Sequence, residues 1–330
     1  MTRPFLGWTF TPLALGHREV LEPILSAHPQ SISGYTFAML HAWSPTFRYA
    51  WRVAEDGTLL VSCATSPGGP RHLLQPVGPF TSALEDDLLA RVAREDYPVR
   101  FHGVTREFLD ARPWLASRLG TEETRKYANY IYLASDLADL PGRKFHKKRN
   151  LIVQATSLTP WTSAELTPAN LSGCREVLDA LPPPDPSDPS AADERVAVET
   201  ALRDFSALGL RGVLVTAQGR PAAFSVWEPI SGDTAAVHFE KAVALKGMYQ
   251  VVNQETARAI HGAGFHFINR EEDLGDPGLR HAKESYHPVE LRPHLILSTR
   301  AAHGDAPADQ PPDNVEDAPW DHLRHACPAA

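Results

Sequence analysis

The sequence predicts an α/β fold in two domains, and three observations carry that prediction. Its 330 residues, 43% hydrophobic and 22% charged, are more than one hydrophobic core ordinarily organises. Segments of helical and strand periodicity alternate along the chain, as a sheet covered by helices requires. A buried-strand signal at Phe265, Phe267 and Ile268 runs without a break into Asn269, Arg270, Glu271, Glu272 and Asp273, and functional groups beyond a strand end are where α/β sheets place their sites.

Taken in order, residues 17–27 have helical periodicity, bent or broken at Pro23. Residues 34–54 are rich in rings, among them Tyr35, Phe37, Trp43, Phe47 and Trp51, which read as core because aromatics dominate buried area. Asp56-Gly57 between two apolar runs signals a hairpin, since both residues accept positive φ. Ser82 with Glu85 predicts a capping box, and Leu84, Leu88, Leu89 and Val92 line one face of the helix it starts. Residues 99–103 suit a strand, 105–112 a short helix ended by Pro113, and 126–133 a second strand. Five prolines among residues 182–189 predict a flexible acidic loop. Ser190 is expected to cap a helix carrying Val198, Leu202 and Phe205 and ending at Gly209. Residues 210–217 and 221–227 then read as a hairpin about Gln218-Gly219.

Residues 234–239 form the next strand, and after Glu240, Lys241 and Lys246-Gly247 a helix covers 248–261. Strand, Gly-containing turn, helix is the order that offers unbonded N–H groups and a positive dipole to phosphate, and Lys246 adds a full charge. Lys246, Gly247, Met248 and Tyr249 are therefore the candidate donor-binding residues. Beyond the polar run, Gly275, Pro277 and Gly278 force a turn, and residues 279–286 form a short helix with Arg280, Lys283 and Tyr286 at spacings of three on one face. Pro288 stops it. Residues 289–297 read as one strand, with Pro293 at an edge or a bulge.

The run from Ile268 to Pro288 (I-N-R-E-E-D-L-G-D-P-G-L-R-H-A-K-E-S-Y-H-P), with H-F-E-K at 238–241, K-G-M-Y-Q-V-V-N-Q at 246–254 and K-K-R-N at 147–150, resembles the DUF2156 family. That family is similar to the C-terminal catalytic domain of phosphatidylglycerol lysyltransferases. The resemblance covers about residues 10–300 and implies two tandem GNAT-like (acyl-CoA N-acyltransferase) domains, each a mixed sheet flanked by helices. It further implies a boundary near residue 140, giving domains over 1–140 and 141–300, with the K-R-N segment opening the first helix of the second domain. Residues 301–330, rich in Ala, Pro and Asp, are expected to be a disordered acidic tail. In GNAT enzymes the turn before the helix carries a longer Q/R-x-x-G-x-G/A pattern for the coenzyme A pyrophosphate. The single glycine at 247 departs from it and puts acetyl-CoA in doubt.

Acyl transfer to an amine needs a neutral nucleophile, a polarised carbonyl and an acid for the leaving group. Glu240, Glu271 and His238 are the candidates for the first task. Tyr286 resembles the GNAT tyrosine that protonates a departing thiolate, and could equally serve a ribose oxygen. Asn150, Asn253, Asn269, Arg270, Asp273, Arg280 and Lys283 are the candidate substrate-binding residues. The resemblance thus points to an aminoacyl- or acyltransferase using aminoacyl-tRNA or an acyl-CoA as donor, a small amine or hydroxyl compound as acceptor, and no tightly bound cofactor. The other class is a non-catalytic GNAT-like module that binds an anionic metabolite or lipid headgroup.

Composition narrows the rest. No apolar run approaches the roughly 20 residues of a membrane-spanning helix, and no signal peptide opens the chain, so a cytoplasmic location is expected. Cys63, Cys174 and Cys327 form no C-x-x-C, and fifteen histidines include no H-E-x-x-H, so no metal is expected. The formal charge of −8 is concentrated after residue 300, where six acids face one Arg (net −5), leaving −3 for the body. Within that body, residues 143–149 pack five cations into seven positions, a candidate contact for a polyanion such as the tRNA acceptor end.

Overall fold

A computed structural model describes residues 3–183 and 189–299. Most of the proline-rich loop and all of the acidic tail with Cys327 lie outside these residues. The chain divides into two units of dense internal contact, one reaching Arg125 and resuming at Pro293, the other spanning Lys126–Arg292. The boundary expected near residue 140 lies inside the second of these, between the helices Ala134–Asp139 and His146–Leu158.

The first unit begins with strands β1 (Arg3–Phe5), β2 (Trp8–Pro12), β3 (Ala50–Val53), β4 (Leu59–Cys63), β5 (His72–Leu74), β6 (Arg100–Val104) and β7 (Gly120–Glu123). Asp56-Gly57 does turn β3 into antiparallel β4, with Gly57 at φ +87° and pairs from Ala50↔Ser62 to Val53↔Leu59. β5 and β6 run parallel, and the helix Ser82–Val92 supplies the crossover such a pair needs. Its cap is Thr81, whose hydroxyl accepts from Leu84 N, one residue before the expected Ser82. Pro113 opens a helix of its own, Pro113–Arg118, because its missing N–H costs nothing in a first turn. Leu88 and Val92 pack with Phe10, Leu60, Leu73 and Phe101 in the core.

The second unit contains β8 (Asn129–Leu133), β9 (Trp161–Glu165), β10 (Arg211–Ala217), β11 (Arg220–Pro229), β12 (Thr234–Ala242), β13 (Phe267–Asn269) and β14 (Glu290–Arg292). They form one mixed sheet in the order β14-β8-β13-β12-β11-β10-β9. The hairpin about Gln218-Gly219 closes with both residues at positive φ. The helix expected to run from Ser190 to Gly209 starts at Pro189 and breaks at Asp204. Val213 and Val215 pack with Met248, Val251 and Val252 of the helix Met248–Gly262, whereas Leu214 meets Gly173 of the helix Leu171–Ala180, so the sheet is covered on both faces.

The stretch read as one strand over 289–297 is two. β14 pairs with β8, and after Pro293 the last strand, β15 (Leu295–Ser298), joins the first unit's sheet between β6 and β7. Proline cannot donate to a ladder, and here it separates two ladders in different sheets rather than sitting within one. The first sheet thus has the order β1-β2-β3-β4-β5-β6-β15-β7. Near β15, His294 accepts from Gly103 N at 2.8 Å, and His102 is fully buried with neither ring nitrogen hydrogen-bonded.

Candidate active site

The site is built where two parallel strands of the second unit part. Among the described residues β12 and β13 are the only parallel pair in that sheet, and they match for three residues, Thr234↔Phe267, Ala235↔Ile268 and Ala236↔Asn269. β13 then ends while β12 continues to Ala242; the backbone of the polar run stays hydrogen-bonded to Tyr130 of β8, and the side chains of Arg270 and Glu271 reach Glu240 and His238 on β12. The crossover between the two strands is the helix Met248–Gly262, which begins at Gly247.

Glu240 near the end of β12 and Arg270 just after β13 close the gap as an ion pair at 3.0 Å, both largely shielded from water. Asn253, with its amide oriented to satisfy both ends, accepts from the same guanidinium at 3.1 Å. Tyr286 lies against this group, with its hydroxyl hydrogen-bonded to Gln250 in the first turn of the crossover helix and the Arg270 guanidinium 5.2 Å from its ring centre. Burial pushes the Tyr286 phenol up, so it stays protonated and can donate. The Lys148 ammonium sits 4.1 Å from the centre of the same ring. Burial, then the Arg270 charge, brings that ammonium down to about 8.

His238 belongs to a different cluster. It is the extra residue of a β-bulge, between the pairs Val226↔Phe239 and Trp227↔Val237, and its ring is wholly enclosed. Nδ1 lies 2.7 Å from Glu271 and Nε2 3.1 Å from Glu228. Burial opposes a charged ring, but hydrogen bonds to the two carboxylates outweigh it and raise the imidazole to about 9. At neutral pH His238 is therefore an imidazolium with both nitrogens engaged, which is not the state of a proton-accepting base.

Arg280 and Lys283 do share a helix face, but they serve the protein's own backbone and carboxylates. Arg280 makes a two-pronged pair with the buried Asp273 at 2.8 and 2.9 Å, and Tyr130 donates to that carboxylate at 2.7 Å. Lys283 is buried and donates to the carbonyls of Arg270, at 2.5 Å, and Glu272. These two carbonyls flank Glu271, which has φ +57°, so Lys283 holds the loop in a conformation an L-residue seldom adopts. Asn269 is buried as well: it donates to Asn129 at 2.7 Å and accepts from Glu271 N. The helix bearing these cations is capped by Asp276.

Of the donor-turn residues, Lys246 is exposed, Met248 is buried in the core and Tyr249 is half-buried. Gly247, at φ +77°, lies so close to Leu151 O that a Cβ there would collide with it. Asn150 is exposed, with its amide 3.2 Å from the ring of His146 one turn earlier. The structure therefore brings together Glu240, Arg270, Asn253 and Tyr286, and sets His238 with Glu271, Arg280 with Asp273, Lys283 with the carbonyls of Arg270 and Glu272, and Asn269 with Asn129 in the surrounding framework. Glu272 was not among the candidates, and Lys148, in the K-K-R-N segment with Arg149 and Asn150, ranks in sequence below the C-terminal motif as a group approaching the cleft. Lys148 stands in the basic run, where its neighbours look alike in sequence. Glu272, donated to by Asn129 at 2.7 Å, has its carboxyl pushed up to about 7 by burial and the adjacent Glu271 charge. Among the described residues no three His, Cys, Asp or Glu are arranged to hold a metal, and no helix is long and apolar enough to cross a membrane.

No protein of curated function matches the sequence. The chain is similar to a conserved protein of unknown function from Bacteroides thetaiotaomicron, at 30% identity over 88% of this chain and 99% of that one, with a TM-score of 0.78. L-PGS from Bacillus licheniformis shares the fold at 16% identity, over 87% and 92% of the two chains, with a TM-score of 0.61. So does a tandem GNAT protein from the clavulanic acid biosynthesis pathway, at 13% identity over 90% and 99%, with a TM-score of 0.50. Two mixed sheets flanked by helices, one per unit, make this a tandem GNAT-like fold. The family described as phosphatidylglycerol lysyltransferase, C-terminal, matches residues 26–297, and the chain belongs to it.

Proposed function

We propose that the protein is an aminoacyltransferase that moves an aminoacyl group from the 3′ end of tRNA to a small amine or hydroxyl acceptor. The observation that carries this reading is the cluster of Glu240, Arg270 and Tyr286 at the parting of β12 and β13, beside the first turn of the crossover helix. A protonated phenol and a guanidinium are suited to the oxygen on which negative charge develops. Glu240 can accept a hydrogen bond from the acceptor's N–H or O–H. The acceptor atom attacks the acyl carbon and gives up its proton, the bond from that carbon to the ribose oxygen breaks, and the departing oxygen takes up one proton in exchange, so that none is gained or lost overall. The single glycine of the turn at Gly247, where GNAT enzymes carry a longer glycine pattern for the coenzyme A pyrophosphate, favours the tRNA ester over an acyl-CoA.

A thermal-shift screen of acetyl-CoA, longer acyl-CoAs and 3′-aminoacyl-adenosine mimics tests the donor, followed by transfer assays with charged tRNA. The mimics should raise Tm and the CoA esters should not. Tyr286→Phe should lower transfer by about 10²-fold with little change in Tm. Stabilisation by CoA esters that is lost in Lys246→Ala would replace the tRNA donor by an acyl-CoA.

A further inference from the structure

We infer that Lys148 is a binding residue for a singly charged oxyanion, a carboxylate or a phosphodiester, taken up by its ammonium beside the Tyr286 ring. Identifying that anion as part of a transfer substrate rests on the function proposed above; the binding itself does not. The basic run supplies the contrast. Lys144 pairs with Asp136 at 2.7 Å, Arg149 donates to the carbonyls of Leu140 and Gly142, and Arg143 and Lys147 are exposed to water. Lys148 is half-buried, with a ring beneath it and no carboxylate partner among the described residues.

Charge balance gives the class of ligand. Two cations lie against the Tyr286 ring; Arg270 is paired with Glu240, whereas the half-buried Lys148 ammonium has the ring and no carboxylate among the described residues, so its positive charge is left partly withdrawn from water. Keeping it there is costly until an anion arrives. The charged or titratable groups around it are Arg270 after β13, Glu240 on β12 behind that guanidinium, Tyr286 after the helix Pro277–Glu284, and His146, Lys147 and Arg149 on its own helix. Lys148 titrates near 8, so an anion that binds the ammonium draws a proton onto it. Binding is full below that pH and is lost as pH rises through it.

Reductive ¹³C-methylation of the full chain, with the Lys148 signal assigned by its absence in Lys148→Arg, reads this out by NMR. The signal should titrate near 8 and move up by about one unit in saturating sodium acetate or sodium dimethyl phosphate, equivalent to a tenfold preference for the protonated form. Exposed Lys147 should not move. Response to acetate identifies a carboxylate, response to dimethyl phosphate a phosphodiester. Failure of both anions to move Lys148 beyond Lys147 overturns the proposal. In Lys148→Arg the thermal shift given by the same anion should persist at pH 9.5, where the wild type has lost it, because guanidinium does not titrate there; equal loss in both proteins also overturns it. A Lys148 response with no stabilisation by any donor would leave this inference standing and remove the transferase reading. Donor binding without a Lys148 response would do the reverse.

Discussion

His238 shows what a buried residue does when its neighbours carry the opposite charge. Its ring is held near 9 in the folded chain against about 6.5 when unfolded, so the imidazolium contributes stability that is complete below pH 6.5 and disappears as pH rises through 9. The shift corresponds to roughly 3 kcal/mol. Urea unfolding of wild type and His238→Gln should therefore show a difference that shrinks by about 2–3 kcal/mol between pH 6 and pH 10. A difference independent of pH would mean the ring is neutral in the folded protein. Arg280 is likewise matched by the Asp273 carboxylate, and Lys283 is held by two backbone carbonyls. Sequence displays a cation, an amide or a carboxylate at a spacing, but not the carbonyl or carboxylate from a distant segment that will face it. Glu228 and Asn129, which complete two of these clusters, stand far from the motif they support.

At the scale of elements, the turn from β12 into the crossover helix is the tightest constraint around the site. Gly247→Ala should destabilise the protein by at least about 1–2 kcal/mol, from the left-handed backbone alone, with the collision against Leu151 O adding to it. A lowered Tm checks this, and Gly57→Ala, also at positive φ but with open space around it, isolates the backbone part. Elements governed by local chemistry were legible in advance. The Asp56-Gly57 and Gln218-Gly219 hairpins, the helix Met248–Gly262 and the helix after Pro277 follow from turn residues and apolar periodicity. The split of β14 from β15 was not legible, because which sheet a strand joins depends on partners more than a hundred residues away. The grouping of Glu240 with Arg270 and Tyr286 was legible only as a candidate list, since three elements must converge to form it.

At the scale of the molecule, the first unit carries a histidine whose effect on stability has the opposite sign to that of His238 in the second. In the first, His294 is buried and accepts from Gly103 N, and burial brings its ring down to about 4. Its folded value lies below the unfolded one, so the unfolded chain binds more protons between about pH 4 and 6.5, and the stability held at neutral pH is lost as pH falls through that window. Burial lowers the His102 ring as well. Unfolding of the first unit at pH 7 and pH 4.5 should differ by roughly 2–3 kcal/mol more in wild type than in His294→Gln. An equal loss in both proteins would assign the acid sensitivity to other groups. The two sheets repeat the tandem arrangement of the GNAT protein whose fold the chain shares.

β15 is translated last among the described strands, yet it lies between β6 and β7 in the first sheet. On a ribosome, β7 must therefore wait beside an empty lane while all of Lys126–Arg292 is synthesised. The later-made half can reach its native form first, and the N-terminal half is sealed only when the thread comes back to it, an order of assembly inverse to the order of the genetic text.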